Sequence, residues 1–408
     1  MKSPTKSPSF PRLLVATEFS PNSAGGSGAI IRQMLKDWPT ESLYWWSCLP
    51  DRNQHFGWTV AAHSVARIPS KLYPNRRWLR SRSWLLDKFW TPWAAHHFGK
   101  TLQQVRPEVV WVIAHGWSIP PLVRALPQAG VGFHVSIHDF ADRGLQHAPT
   151  WETARLRQLS SLADQLYATA TTRDGICQAM VDDLRARIHK DGNVNRAGLE
   201  AEDFEFLRSS EEPPIRGIKI AYAGTIHVEK TFDIFVSALG RIRDSLPLPV
   251  TIDFFSDHSY RTRKWFDPTW MNEHGNLPAA DLAKELKKCS WGFAPMGLTD
   301  NDPRYNRFSL PTKLVSYLAA GLPVITLGHI ESSVIKAASA YEIGLCATTA
   351  ALEDLSGQLL AALSEPNPRR RYRAEVLRCA EVEFDARHTR AVLFKCFEEC
   401  ASASKQSS

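Results

Sequence analysis

Two lysines stand where a cation is unfavourable. Lys313 lies in "RFSLPTKLVSYLAAGLPVIT" (307–326). Leu314, Val315 and Leu318 predict a short helix there, with Pro311 in its first turn, Gly321 closing it and a buried strand following. Lys230, in "AGTIHVEKTFD", starts a second such helix after another strand. A helix N-terminus carries the positive end of the dipole, so a cation there costs roughly 0.3–1 kcal/mol. A bound diphosphate reverses the sign, because it takes charge-assisted hydrogen bonds from the amines and from the open N–H groups. Two lysines at equivalent edges of consecutive strand–helix units therefore point to an anion site. The bland alternative is a pair of solvated surface lysines. A third loop, "FSPNSAGGSGAI", puts Gly25, Gly26 and Gly28 after the first strand, where backbone can approach a ligand closely. Its spacing is not GxGxxG and no acidic residue follows at ribose distance, so a plain turn explains it equally well.

Other constellations carry less. Asp300-Asn301-Asp302 has the look of a metal–diphosphate motif but sits in a Pro-rich loop, where a solvated acidic turn is the simpler reading. His138-Asp139 ends a strand. There is no HExxH, no Cys/His cluster and no GxSxG, and His96-His97 lacks a partner at ligand spacing, so no metal is expected. Residues 71–100 hold seven Lys or Arg against one acidic residue, Asp87, and four tryptophans: Trp78, Trp84, Trp90 and Trp93. Trp78, Leu85, Phe89 and Trp93 can share a helical face, with Pro92 ending or kinking the first helix. Such a segment, with Arg76, Arg77, Arg80 and Arg82 beside Trp78 and Trp84, suits either an anionic membrane surface or a helix packed on its own sheet.

The elements that must position these residues alternate strand and helix throughout. The first series runs through "RLLVATEF", "SLYWWSCL", "EVVWVIA", "FHVSIHDF" and "QLYATA". The second runs through "IKIAYAG", "VTIDFFS", "WGFAPM", "LPVIT" and "IGLCAT". Near-continuous apolar strands between helices imply parallel sheets covered on both faces. At 408 residues, 44% hydrophobic and 22% charged, the chain is expected to form two domains. The expected class is α/β, with two doubly wound Rossmann-like domains facing a cleft. Residues 11–210 would form the first, 211–217 ("EEPPIRG") a linker and 218–380 the second. A C-terminal helix over 381–400 would pack back on the first domain, and 1–10 and 401–408 would be disordered ends. A formal charge of +7 favours anionic partners. Seven scattered cysteines, no signal-like apolar run and no 18-residue apolar stretch predict reduced thiols in a cytoplasmic protein.

The second half resembles the nucleotide-binding domain of the GT-B glycosyltransferases, close to glycosyltransferase family 4 of the bacterial polysaccharide type. The resemblance rests on "IKIAYAGTIHVEKTFDIFVSAL", on "HGNLPAADLAKELKKCSWGFAPM" and most specifically on "SLPTKLVSYLAAGLPVIT". The first half is similar more loosely. The resemblance implies a retaining, metal-independent transfer of a sugar from a UDP- or GDP-linked donor, bound by the second domain, to a glycan or lipid-linked acceptor, bound by the first, on the inner face of a membrane. No cofactor is implied beyond the nucleotide sugar, and no nucleic acid. Gly25, Gly26, Gly224, Thr225, Lys230, Asn276, Leu277, Ser309, Leu310, Thr312, Lys313 and Ser316 would bind the donor. Lys230, Lys313 and N–H groups around Ser309 and Leu310 would meet the departing diphosphate, and His138 would contact the sugar. Three positions depart from the family pattern: Thr225 where an Arg is common, and Phe308 and Ser316 where glutamates are usual. They keep two alternatives open, a GT-B sugar-nucleotide epimerase and a non-catalytic scaffold.

Overall fold

Apolar strands that alternate with helices form two all-parallel sheets in the computed structural model, which describes residues 10–23, 26–50, 57–72, 79–142, 150–209, 217–299 and 303–406. The first sheet contains β1 (Leu13–Thr17), β2 (Leu43–Ser47), β3 (Ala62–Val65), β4 (Val109–Ile113), β5 (Phe133–Ile137), β6 (Thr172–Gly175) and β7 (Asn193–Val194), in the order β3-β2-β1-β4-β5-β6-β7. The second contains β8 (Ile218–Ala223), β9 (Val250–Phe255), β10 (Met271–Glu273), β11 (Trp291–Pro295), β12 (Val324–Leu327) and β13 (Gly344–Ala347), in the order β10-β9-β8-β11-β12-β13. Central strands such as β1, β4 and β5 are buried at every residue, because helices cover both faces. The strands that sequence reading passes over, β3, β7 and β10, are short edge strands with polar residues.

One expected strand is a helix. "QLYATA" closes the Thr150–Thr169 helix, because Leu159, Ala163, Leu166 and Tyr167 recur at helical spacing and are buried together, and β6 starts only at Thr172.

The chain divides into two units, residues 1–196 with 387–408 and residues 197–386. The first boundary precedes the Pro-rich stretch expected as linker. The Ala201–Arg208 helix joins the second unit, where Phe204 and Leu207 share a core with Tyr317 and Leu318. Of the linker, 210–216 lies outside the described residues. The Ala386–Gln406 helix belongs to the first unit from residue 387. Phe394 packs edge-on to Trp38 at 5.0 Å, Phe397 lies 5.4 Å from Trp111, and Arg390 donates to the Gln33 carbonyl at 3.0 Å.

Candidate functional site

In the second unit, β8 has β9 on one side and β11 on the other, so the strand order reverses between β8 and β11. Ligands of open α/β sheets bind outside the carboxyl ends of the strands at such a point. Gly224 leaves β8 at φ +88°, a backbone angle that favours glycine. The Glu229–Ile242 helix then begins at Val228 with no side-chain cap. Lys230 is its second residue, and it is exposed. From β11 the chain passes through the Pro303–Phe308 helix into the Thr312–Ala319 helix, which also lacks a side-chain cap and has Lys313 second. The Lys313 ammonium lies 3.8 Å over the ring of Tyr222, near the end of β8. It thus reaches back across the crevice to the strand that leads to Lys230. Burial pulls its pKa from 10.5 down to about 7, although the residue as a whole is only half-buried.

Tyr317 fixes this helix. Its hydroxyl accepts from Ala223 N–H at 2.9 Å and donates to the Phe293 carbonyl at 3.1 Å, tying the helix to β8 and β11. Its ring lies on Gly292, where a Cβ would stand 2.4 Å from it.

The remaining expected donor residues differ in what they can offer. Thr225 gives its carbonyl to the Tyr222 hydroxyl at 2.9 Å. Asn276 is exposed, and Leu277 packs against the core. Thr312 is exposed, and half-buried Ser316 donates to the Thr312 carbonyl at 3.4 Å. Leu310 is buried. Ser309 N–H donates to the Tyr305 carbonyl at 3.0 Å, so that N–H is not open to a phosphate, and the Ser309 carbonyl accepts from the Ser333 hydroxyl. Pro311 is the residue before the helix, extended at φ −63°, ψ 132°, rather than its first turn, because its carbonyl accepts from Leu314 N–H. Phe308 is buried, so that position offers no polar group from its side chain. Asp300, Asn301 and Asp302 lie outside the described residues.

The first unit has its own reversal between β1 and β4. Glu18, just after β1, holds His115, after β4, through a 2.7 Å bond to Nδ1, and its other oxygen accepts from Trp117 N–H at 3.0 Å. Arg155 stacks 3.8 Å over Trp117. After β5, His138 is 4% exposed with neither ring nitrogen hydrogen-bonded, and burial lowers its pKa and keeps it neutral. Sequence reading singled out His138 and passed over Glu18, His115, Trp117 and Arg155. The signal was "ATEF" and "IAHGW", polar residues directly after apolar strands. Gly26 is exposed as the first residue of the Gly26–Met34 helix, and Gly25 lies outside the described residues. His97 is structural, accepting from Trp46 Nε1 at 3.1 Å.

In the basic aromatic segment, Arg76, Arg77 and Trp78 lie outside the described residues. The Leu79–Leu85 helix runs through a π-helical turn, Leu86–Trp90, into the Thr91–Val105 helix, with Pro92 in the first turn of the latter. Leu86, Trp90 and Ala94 are buried. Trp84, Phe89 and Trp93 are 55%, 65% and 48% exposed. Arg80 and Lys88 are exposed and Arg82 is half-buried. Among the described residues no helix is long and apolar enough to cross a membrane, and no group of three or more His, Cys, Asp or Glu could hold a metal.

Two parallel sheets of seven and six strands, each with a reversal of strand order, form an α/β two-domain fold that matches solved structures of the GT-B glycosyltransferase fold. Residues 241–378 match the family described as "Glucosyltransferase 3-like, C-terminal domain". Sucrose-phosphate synthase from Thermosynechococcus elongatus superposes with a TM-score of 0.71 at 12% identity, over 96% of this chain and 99% of that one. A UDP-forming α,α-trehalose-phosphate synthase from Burkholderia xenovorans, in complex with glucose-6-phosphate, gives 0.62 at 11% identity over 95% and 100%. A glycosyltransferase from Rickettsia africae gives 0.58 at 11% identity over 95% and 97%. No curated protein matches the sequence.

Proposed function

We propose that the protein is a glycosyltransferase that moves a sugar from a nucleoside-diphosphate donor to a glycan or lipid-linked acceptor. The observation that carries this is Lys313, held by Tyr222 over the crevice that Lys230 also borders. The bond between the anomeric carbon and the β-phosphate oxygen breaks, and the acceptor hydroxyl oxygen bonds to that carbon. The hydroxyl proton passes to the departing phosphate, which leaves as part of the nucleoside diphosphate. Negative charge grows on the phosphate as the bond lengthens. Two ammonium groups and open helix N–H groups stabilise it more in the transition state than in the ground state, with no metal required in this reading. Retention follows the family resemblance. The contact of His138 with the transferred sugar is what the family resemblance implies; its imidazole is buried and neutral.

The polar aromatic face supports a membrane-side acceptor. Trp84, Phe89 and Trp93 are exposed beside Arg80 and Lys88, while Asp87 is half-buried beside Arg124 and Arg155. An anionic leaflet complements that face, and the protein would then act peripherally on its cytoplasmic side.

Calorimetry with UDP and GDP tests the site. Binding of one of them, weakened roughly 10- to 150-fold in Lys313→Ala and in Lys230→Ala, is the expected result for loss of a charge-assisted contact. Equal affinity in wild type and both variants would remove the lysines from the site. Failure of the wild type to bind any nucleotide or nucleotide sugar would favour the scaffold.

A further inference from the structure

A cavity of about 380 Å³ opens at the amino ends of the first sheet. Small-molecule sites run from roughly 300 to 1,000 Å³. Arg12, Glu108 and Val131 line it just ahead of β1, β4 and β5, so it lies at the opposite end of these parallel strands from Glu18 and His138. The end of the Ala386–Gln406 helix forms one wall. Gly132 lets that helix come close, since a Cβ there would run into the Cys400 carbonyl. The Ser404 hydroxyl accepts from Gly132 N–H at 2.7 Å and donates to the Glu108 carbonyl at 2.9 Å.

Arg12, Arg106 and Lys405 face one carboxylate, Glu108, a side-chain balance of +2. Glu108 is already engaged: one oxygen accepts from Arg12 N–H at 3.0 Å and the other stands 3.9 Å from the Lys405 ammonium. The guanidinium groups of Arg12 and Arg106 have no partner among the described residues. A helix C-terminus favours a cation, which accounts for Arg106 after the Thr91–Val105 helix and for Lys405. Arg12 precedes a strand and has no such reason to be basic. Arg106 also takes a left-handed backbone, φ +46°, where glycine or asparagine is usual. Leu102 and Ala401 add apolar surface beside Val131.

We infer that this cavity binds a small organic phosphate monoester. Its dianion balances the excess charge, the guanidinium forks suit its oxygens, and its organic body lies on the apolar lining. A carboxylate would leave one charge uncompensated. The site is separate from the donor crevice and stands whether or not the transferase reading does. Because the cavity joins the last helix to the starts of β1 and β4, the ligand should also raise the melting temperature.

Calorimetry on the full chain with phenyl phosphate tests this, with phenol, benzoate and inorganic phosphate for comparison. Wild type is expected to bind phenyl phosphate saturably and about tenfold or more tighter than each of the other three. Binding should be stronger at pH 7.5 than at pH 5, because the ester takes its second charge near about pH 6. Arg12→Ser combined with Arg106→Asn should weaken it roughly 10- to 150-fold. Asparagine suits the left-handed turn, and an unchanged melting temperature without ligand would show the fold intact. Lys405→Ser, on a side chain 75% exposed, should weaken binding in the same direction. Lys230→Ala combined with Lys313→Ala, which strips the second unit's crevice of its cations, should bind phenyl phosphate as wild type does. No saturable binding, equal affinity for phenol, benzoate or inorganic phosphate, equal affinity at the two pH values, or unchanged affinity in the arginine variant would overturn the inference. Loss of binding in the lysine pair would place the phosphate in the other crevice and overturn it as well.

Discussion

Lys313 is the residue at which charge and position meet. In the free protein burial holds its pKa near 7, with the ammonium over the Tyr222 ring. A bound diphosphate favours the charged amine, so its pKa rises on binding and the site takes up a proton above neutrality. The affinity for a nucleotide sugar, whose phosphates do not titrate near pH 7, should therefore be flat below pH 7. It should fall by up to about tenfold per pH unit above it, until the bound-state pKa is reached. Calorimetry in buffers of different ionisation enthalpy reads both the affinity and the proton. Affinity that is constant from pH 7 to 9 would mean that Lys313 does not face the phosphates. Ser316 carries the second residue-scale expectation. It is half-buried, with only a long bond to Thr312. Ser316→Glu should fold with a melting temperature near wild type and bind nucleotide at least as well, since a carboxylate can take two ribose hydroxyls. A collapse in melting that nucleotide does not reverse would show an unpaired buried charge instead.

At the scale of elements, the Thr312–Ala319 helix has eight residues and is too short to be stable alone. Tyr317 anchors it. Tyr317→Phe keeps the ring on Gly292 but leaves the Ala223 N–H without its hydroxyl partner, at a cost of about 1–3 kcal/mol. Lower stability in urea is expected, together with weaker nucleotide binding, because the anchor also sets where Lys313 stands. A variant as stable as wild type would mean that water replaces the hydroxyl. The lysines and the helix periodicity around them were legible from residue types. The tyrosine's bonds to β8 and β11 were not, because nothing in the spacing from 222 to 317 says which strands become neighbours. The expected strand "QLYATA" shows the same limit: its apolar residues suit either period, and burial of the longer helix decided between them.

At the scale of the whole molecule, the fold leaves three large aromatic side chains exposed within ten residues of one segment of the first unit. Water contact with that much apolar surface is unfavourable, and bilayer insertion relieves it while each nearby Lys or Arg adds roughly 1 kcal/mol at an anionic surface. Wild-type protein should co-sediment with anionic liposomes at low salt. The triple variant Trp84→Ser, Phe89→Ser and Trp93→Ser should lose about tenfold or more of that binding while keeping its nucleotide affinity. Protein that ignores such liposomes would end the membrane reading and leave a soluble acceptor.

Sequence alone determined what depends on near neighbours in the chain. Alternating apolar strands and amphipathic helices require covered parallel sheets, and lysines at two helix starts require an anion or water. Tertiary structure decided what depends on strand order. Order places β8 beside β11 and β1 beside β4, and so brings Lys313 to Tyr222 and Glu18 to His115 across 91 and 97 residues of chain. It also returns the last helix to the first unit through aromatic contacts with Trp38 and Trp111. Periodicity is a local property and shows which face of a strand or helix is buried, but not which distant element buries it. The pairs that make these crevices were therefore absent from the sequence pattern, although each of their residues was in plain view.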